Sequence, residues 1–264
     1  MAGLKKFIAK SAGQPYNWLM YSIQNIVEYY DELFPVTTAQ KKFYDGLVKN
    51  YADPVKILSI ECGTGVFESI LAREGFDVTG IESHAELLHA ANMRKRNQLM
   101  SIHFFQMDYL DMSRFLGKGF YNIISILDDR IMMIYDEMLL GKFFKDVRTL
   151  MTDGGSFVIS LPNFDIMKQG IPMQQLPTRS SLRASLFTEL WTAEGEHCTI
   201  KQNLETGNGK LLPVLEDEKA YPLKSAQIRG FAQEAGFSSV ELFADFDKQA
   251  FTGQEDSLVA VLKA

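Results

Sequence analysis

The residues that follow Pro54 constrain this chain most. Val55-Lys56-Ile57-Leu58-Ser59-Ile60 is a short, β-branched, apolar run that leads straight into Glu61-Cys62-Gly63-Thr64-Gly65-Val66-Phe67. Phe67 to Arg73 then continues at helical spacing. A buried strand, a turn with two glycines and a helix make the opening unit of a parallel α/β sheet. Glycine in such a turn lets the backbone approach a ligand with no Cβ in the way. Ligands of doubly wound sheets sit at the carboxyl ends of the strands. A tight turn without a ligand is the bland alternative for this loop taken alone.

The same grammar repeats downstream. Phe76 to Ile81 reads as a second strand and His84 to Leu99 as a second helix. Ile102 to Met107 is a third strand, and Tyr121 to Leu127 a fourth, continuously apolar as a strand buried on both faces should be. Asp136 to Met151 carries Leu140, Phe143, Phe144, Val147 and Leu150 on one helical face, and Asp153-Gly154-Gly155 turns into a fifth strand, Ser156 to Leu161. Such alternation predicts a doubly wound α/β sheet. Val240 to Phe243 and Ser257 to Leu262 are the last two strands, and the segment between them is too short for a crossover helix. They are expected as an antiparallel hairpin at the sheet edge. The expected fold is therefore a Rossmann-like, seven-stranded sheet whose last strand is antiparallel.

Two further segments flank or interrupt this core. Residues 1–52 read as an N-terminal helical segment, with Trp18, Leu19, Ile23, Ile26 and Val27 at helical spacing, a stop at Pro35 and a second helix from Thr38 to Tyr51. After the core at 53–161, residues 162–222 change pattern. Arg183 to Thr192, His197 to Leu204 and Leu211 to Tyr221 look like three strands joined at Glu194-Gly195 and Gly207-Asn208-Gly209. They predict a small antiparallel β lid inserted after the fifth strand. Residues 223–264 return to the core, with Ile228, Phe231, Ala232 and Ala235 on one helix face and Gly236 at its end.

The strand ends carry acids. Glu61 follows the first strand, Glu82 ends the second, seventeen positions after Gly65, and Asp108 ends the third. A carboxylate at Glu82 can take both hydroxyls of a ribose, and one at Asp108 can reach an adenine amino group. Singly, each acid reads as a solvated loop charge; three after three successive strands are less easily dismissed. A nicotinamide dinucleotide site would need a third glycine three positions after the second. That position is Glu68, which would set a negative charge beside a pyrophosphate. Glu61 likewise suits a ligand with an ammonium group better than one with phosphates. S-Adenosylmethionine has an amino-acid end and no phosphate, so the electrostatics favour the methyl donor.

Composition removes other classes. With 33 acidic and 27 basic residues the net charge is -6, which repels nucleic-acid phosphates; Met93-Arg94-Lys95-Arg96 reads as a solvated helix face. Two cysteines make neither a disulfide framework nor a zinc site, and the four histidines lack metal-ligand spacing, so no metal is expected. Lys10 breaks the apolar run Phe7-Ile8-Ala9, leaving no signal-peptide core, and no stretch of about 20 apolar residues spans a membrane. A cytoplasmic location is expected.

The stretch Ile57 to Ala91 resembles the core of class I S-adenosylmethionine-dependent methyltransferases. Cys62-Gly63-Thr64-Gly65-Val66, Glu74-Gly75-Phe76-Asp77-Val78-Thr79 and Ser160-Leu161-Pro162-Asn163-Phe164-Asp165 are similar to the glycine/sarcosine N-methyltransferase branch. The resemblance implies that Glu61, Cys62, Gly63 and Gly65 surround the methionine part of the donor. It implies that Glu82 and Ser83 hold the ribose, that Asp108 and Tyr109 flank the adenine, and that Leu127 lies beside the reacting methyl. Tyr30, in the segment Tyr29-Tyr30-Asp31-Glu32-Leu33-Phe34, would close over the donor, and S-adenosylhomocysteine would be the product. Two departures stand out. Phe67 replaces the third glycine of the class motif, and Pro162 replaces the arginine that would grip a glycine carboxylate.

On the acceptor side, Asp128 and Asp129 can orient an amine or accept its proton; an N-cap with a surface ion pair is the alternative. Asn163 can hydrogen-bond an acceptor or simply hold a turn. Arg179, Arg183 and Trp191 are further pocket candidates from the lid. The expected activity is methyl transfer to a small-molecule amine or hydroxyl by in-line displacement. A same-fold aminopropyl transferase and a non-catalytic binding protein are the alternatives.

Overall fold

A computed structural model describes residues 23–94, 101–168, 170–192 and 198–264. Trp18 and Leu19, Lys95 and Arg96, the Glu194-Gly195 turn and His197 lie outside the described residues. The expected first strand is β1 (Lys56–Ile60), and β2 (Asp77–Glu82), β3 (Ile102–Gln106) and β4 (Tyr121–Ile126) follow. β5 (Met151–Pro162) is longer than expected, because Asp153-Gly154-Gly155 stays in the strand and shifts the register with β4 between Tyr121 and Ile123. β11 (Ser239–Phe243) and β12 (Ser257–Lys263) complete a seven-stranded sheet of order β11-β12-β5-β4-β1-β2-β3. β12 runs antiparallel between β5 and β11; the pairs among β1 to β5 are parallel.

Why this sheet forms follows from its residues. Ile57, Leu58, Ile60, Ile123, Ile124, Ile126, Phe157 and Ile159 are fully or almost fully buried, so the central strands are covered on both faces. On one face lies α6 (Glu137–Leu150), capped by Asp136, which accepts from the Met138 and Leu139 N–H groups. Its stripe of Leu140, Phe143, Phe144, Val147 and Leu150 is buried together with Phe231 of α7 (Ser225–Ala235). The other face takes α2 (Thr38–Val48), α3 (Val66–Arg73) and α4 (Ala85–Arg94), with Tyr44 edge-on to Phe67 at 4.7 Å. Residues 23–27 are helical, and a short turn of helix, α1 (Tyr30–Leu33), follows.

The lid has more strands than expected. β8 (Ala184–Trp191), β9 (Cys198–Thr206) and β10 (Leu211–Ala220) match the three that periodicity revealed. β6 (Met173–Gln175) and β7 (Arg179–Ser180) add to them along β8. Strands of three and two residues are too short to show a period of two, so the sequence could not announce them. Leu186, Leu190, Ile200, Leu204, Val214 and Leu215 of this sheet are buried in the same core as Ile23 and Ile26. Asn25 Nδ2 donates to the Pro213 carbonyl at 2.8 Å, and Arg183 pairs with Glu28 and Glu32 at 3.1 and 2.7 Å. The N-terminal segment and the lid thus close over the carboxyl ends of β1 and β4, where the strand order reverses.

Candidate functional site

At that reversal the backbone takes up unusual conformations. Gly63 and Gly65 have φ of 59° and 70°, as glycine permits, but Glu61, Asp128 and Asp129 also lie at φ of 53°, 54° and 68°. A left-handed non-glycine residue costs roughly 1–2 kcal/mol. Three such acids at the ends of two adjacent strands mark strain kept where side chains must be re-aimed. Space around the glycines is also tight. A Cβ on Gly63 would stand 2.4 Å from the Tyr30 hydroxyl, and one on Gly65 2.5 Å from the Phe104 ring. Gly65 is therefore fixed by packing as well as by any ligand.

Glu82 organises the loop. It is 0 % exposed; its Oε2 accepts from the Gly63 N–H at 2.8 Å, while Oε1 accepts from the His84 N–H at 2.9 Å and faces His84 Nδ1 at 3.0 Å. Burial by itself would raise its pKa, but the His84 hydrogen bond and the Arg130 charge prevail and hold it at about 2. Glu82 stays ionised. Glu61 lies opposite, where burial and the Glu82 charge push its pKa up to about 8. Its Oε2 accepts from the Ser83 hydroxyl at 2.8 Å, and its Oε1 is buried without a partner. Glu61, Glu82 and His84 bring ligand-type atoms within 4.8 Å of one another. Glu82 already accepts two backbone N–H groups, so the cluster reads as a hydrogen-bonded carboxylate pair.

Arg130 is the cation of the site. Its Nη2 donates to the Tyr30 hydroxyl at 3.1 Å, and its guanidinium lies 5.6 Å from the Tyr30 ring centroid and 5.9 Å from that of Phe34. Its Nε is buried without a partner. Tyr30 stacks on Phe34 at 4.6 Å, and burial raises its hydroxyl pKa well above the ordinary tyrosine value. Arg179, from the lid, donates to Asp129 at 2.7 Å and lies 4.5 Å from the Phe34 ring centroid. The two adjacent acids therefore differ. Asp129 is ion-paired, whereas burial pushes the pKa of Asp128 up to about 6, with Arg179 opposing and Asp129 adding to the rise.

Two small cavities meet at Asp128. One, of about 40 Å³, is bordered by Tyr30, Glu61, Thr64, Glu68, Ser125 and Asp128. The other, of about 20 Å³, is bordered by Asp128, Asp129, Arg130 and Gln202 and by apolar groups such as Ile26, Met132 and Val214.

The remaining expected residues fall as follows. Leu127 borders the first cavity. Asp108 is exposed and accepts from the Leu110 N–H at 2.8 Å, forming a turn; Tyr109 packs edge-on to Phe143 at 5.8 Å, and burial raises its pKa to about 12. Burial also pushes the Cys62 thiol up, which disqualifies it as a thiolate nucleophile. Asn163 accepts from the Asp165 N–H at 2.9 Å and donates to the Glu255 carbonyl at 2.8 Å. Its amide is held in a turn. Arg183 stays with Glu28 and Glu32, and Trp191 is exposed on the lid. Sequence reasoning missed the centrality of Arg130 and the burial of Glu68, which is 4 % exposed with its pKa pushed up by burial to about 7. The one available signal was an acid in the first turn of a helix that packs on a sheet.

Replacing Glu82 by Gln is expected to weaken donor binding by about tenfold to a hundredfold. The amide cannot accept from both N–H groups as a carboxylate does, and a charge-assisted hydrogen bond is worth roughly 1.5–3 kcal/mol. Calorimetric titration checks this, and a change below about twofold would remove Glu82 from the donor site.

Residues 57–155 match the family model described as a methyltransferase domain. A protein of Geobacillus sp. (strain WCH70), whose methyltransferase name is itself provisional, is 23% identical over 248 residues, covering 91% of this chain and 98% of that one. The glycine/sarcosine N-methyltransferase of Aphanothece halophytica is 21% identical over 253 residues, covering 91% of this chain and 89% of its own. Among solved structures, an S-adenosylmethionine-dependent methyltransferase from Clostridium acetobutylicum aligns with a TM-score of 0.72 at 17% identity, over 90% of this chain and 97% of that one. An S-adenosylmethionine-bound amino pentose methyltransferase of Micromonospora echinaspora aligns with a TM-score of 0.61 at 13% identity, over 95% of this chain and 99% of that one.

Proposed function

We propose that this chain, a class I S-adenosylmethionine-dependent methyltransferase, transfers the methyl group to the nitrogen of a small amine with an apolar body. The observation that carries this reading is the place of Asp128, a half-buried carboxylate that borders both cavities. The first of them, about 40 Å³, is too small for the donor as it stands, so the site would have to open beside it to admit the donor. A buried, unpartnered Glu61 oxygen and the ionised Glu82 suit a ligand with an ammonium group and ribose hydroxyls. When bound, the donor supplies a methyl group already activated on a sulfonium. Glu61, Cys62, Gly63 and Gly65 hold its methionine part, Glu82 and Ser83 its ribose, Asp108 and Tyr109 its adenine, with Leu127 beside the methyl. Tyr30 moves off Gly63 to admit it and then covers it.

The residues of the chain then serve the acceptor. An alkylammonium group cannot attack until it loses a proton. Asp128 would take that proton and leave the nitrogen lone pair free to displace the sulfur at the methyl group that the bound donor would supply. The raised pKa of Asp128 supports an amine over an aliphatic alcohol. An alkylammonium near ~10.4 lies about four units above a base of about 6. An alcohol near water's ~15.7 lies about ten units above it, a gap of roughly 13 kcal/mol. The smaller gap favours an ammonium over an aliphatic alcohol as the proton source for Asp128. Asp129 and Arg179 hold each other and position Asp128, and Asn163 fixes the turn after β5. The apolar side chains that border the second cavity, Ile26, Met132 and Val214, would face the body of the amine once the site opens. A net charge of -6 argues against nucleic acid as acceptor.

The test is a methyl-transfer assay over matched amines and alcohols, each with a short apolar substituent. Turnover of the alcohols with none of the amines would overturn the reading. Glycine and sarcosine are expected at about a hundredfold or more below the best amine. Pro162 offers no cation, Arg183 is paired with Glu28 and Glu32, and Arg179 with Asp129. Robust glycine turnover in the same assay would show that Arg130, whose Nε is without a partner, or Arg179 or Arg183 turns to the carboxylate. Excess chelator is expected to leave the rate unchanged, since Glu82 is already held by the Gly63 and His84 N–H groups; loss restored by a divalent cation would refute this.

A further inference from the structure

Resting on the placement of Glu61 at the methionine part of the donor, we propose that Glu61 holds a proton while the site is empty and gives it up when the donor's α-ammonium group arrives. The geometry begins with two carboxyl groups brought face to face by the ends of β1 and β2. Glu82 is locked as an anion by the Gly63 N–H, the His84 N–H and the His84 ring. Glu61 receives one hydrogen bond, from Ser83, and its other oxygen is sealed from water with no partner. A second buried anion beside Glu82 would be repelled by it and would lack the donors that Glu82 has. The empty site therefore keeps one proton on the pair, and it resides on Glu61.

The other charged and titratable groups that face Glu61 do not change this outcome. From the β2 end these are Glu82 and His84; from the turn after β4, Arg130; from the N-terminal segment, Tyr30; and from the turn after β3, Tyr109. Arg130 is the one permanent cation, and it is shared among Glu61, Glu82 and the Tyr30 hydroxyl. Burial and Glu82 outweigh it, leaving Glu61 with a pKa of about 8. An arriving α-ammonium group supplies the missing cation and donor at the unpartnered oxygen. Glu61 then ionises, its proton passes to solvent, and the ion pair replaces the protonated carboxyl. Nothing is oxidised or reduced.

Proton release becomes a property of the amino-acid end of the ligand. S-Adenosylhomocysteine carries the same ammonium as the donor without the sulfonium, and 5′-methylthioadenosine keeps the adenosine but lacks the amino acid. Titration calorimetry near pH 6.5, in buffers of different ionisation enthalpy, is expected to find about one proton released per S-adenosylhomocysteine bound and about none for 5′-methylthioadenosine. Affinity for S-adenosylhomocysteine should rise by up to about tenfold per pH unit toward pH 8 and then flatten. Glu61→Gln should bind S-adenosylhomocysteine without proton release, while its binding of 5′-methylthioadenosine reports an intact site. His84→Gln should still release about one proton.

Release below about 0.3 proton in the wild type would overturn the proposal, as would unchanged release in Glu61→Gln. So would loss of release in His84→Gln, which would assign the proton to the imidazole. Absence of any binding heat for both ligands, with no competition against labelled S-adenosylmethionine, would instead count against the donor itself.

Discussion

Gly63→Val abolishes measurable binding of S-adenosylmethionine and of S-adenosylhomocysteine, an expected loss of about a thousandfold or more, from three costs that act together. The left-handed φ of 59° is a glycine conformation, and a β-branched residue there is strained by roughly 1–2 kcal/mol. The Cβ alone would stand 2.4 Å from the Tyr30 hydroxyl. Tyr30 would be driven off, losing its stack on Phe34 and the hydrogen bond from Arg130. The branched side chain would also fill the space that the glycine turn leaves for ligand. These causes separate in a double variant. If the clash with Tyr30 were the whole effect, Tyr30→Ala would restore binding to Gly63→Val; if ligand space is lost, it restores nothing. We expect no rescue by calorimetry, with circular dichroism confirming the fold. Wild-type affinity in Gly63→Val would remove the glycine turn from the donor site.

Asp128→Asn lowers kcat by about 10²–10⁴-fold on an amine acceptor and leaves donor affinity within a few-fold of wild type. Asparagine is the gentlest replacement, because it keeps the shape and tolerates φ of 54° better than most residues. Its amide cannot take the proton of an ammonium group. In the wild type the rate should fall as pH drops through about 6, since the base is lost when Asp128 is protonated; the variant lacks this limb. Stability moves the other way. The folded-state pKa lies above the unfolded carboxyl value, so the ionised side chain disfavours the fold above pH about 6, and this cost vanishes below the unfolded pKa of about 3.9. Asp128→Asn should therefore be no less heat-stable than wild type at neutral pH. A variant with wild-type kcat and the same acid limb would place the base elsewhere.

How far the sequence could be read depends on the range of each interaction. The parallel strands, the amphipathic helix Glu137–Leu150 and the glycine turn announce themselves through local periodicity and local sterics. The acids at strand ends were equally legible: a strand of known direction places whatever follows it at one edge of the sheet. Local pattern ended at the lid, where β6 and β7 are too short to carry a period and exist because β8 offers them an edge. It also failed for Asn163, since nothing nearby in sequence reveals that its amide is held by the Glu255 carbonyl.

What the sequence by itself determined is the sheet, the order of its parts and the position of the glycine turn, because the spacing of apolar residues and glycines is fixed within a few residues of chain. What only the tertiary structure decided is the charge state of the site. Glu61 and Glu82 are the same residue type, each one step beyond or at the end of a strand. One is a fixed anion and the other a proton carrier because the N–H groups of Gly63 and His84 point at Glu82 and away from Glu61. Likewise Asp128 and Asp129 are neighbours in sequence, yet Arg179, fifty residues away, reaches Asp129 alone with a hydrogen bond. Burial and partners set a pKa, and both are products of chain folding that no local spacing encodes.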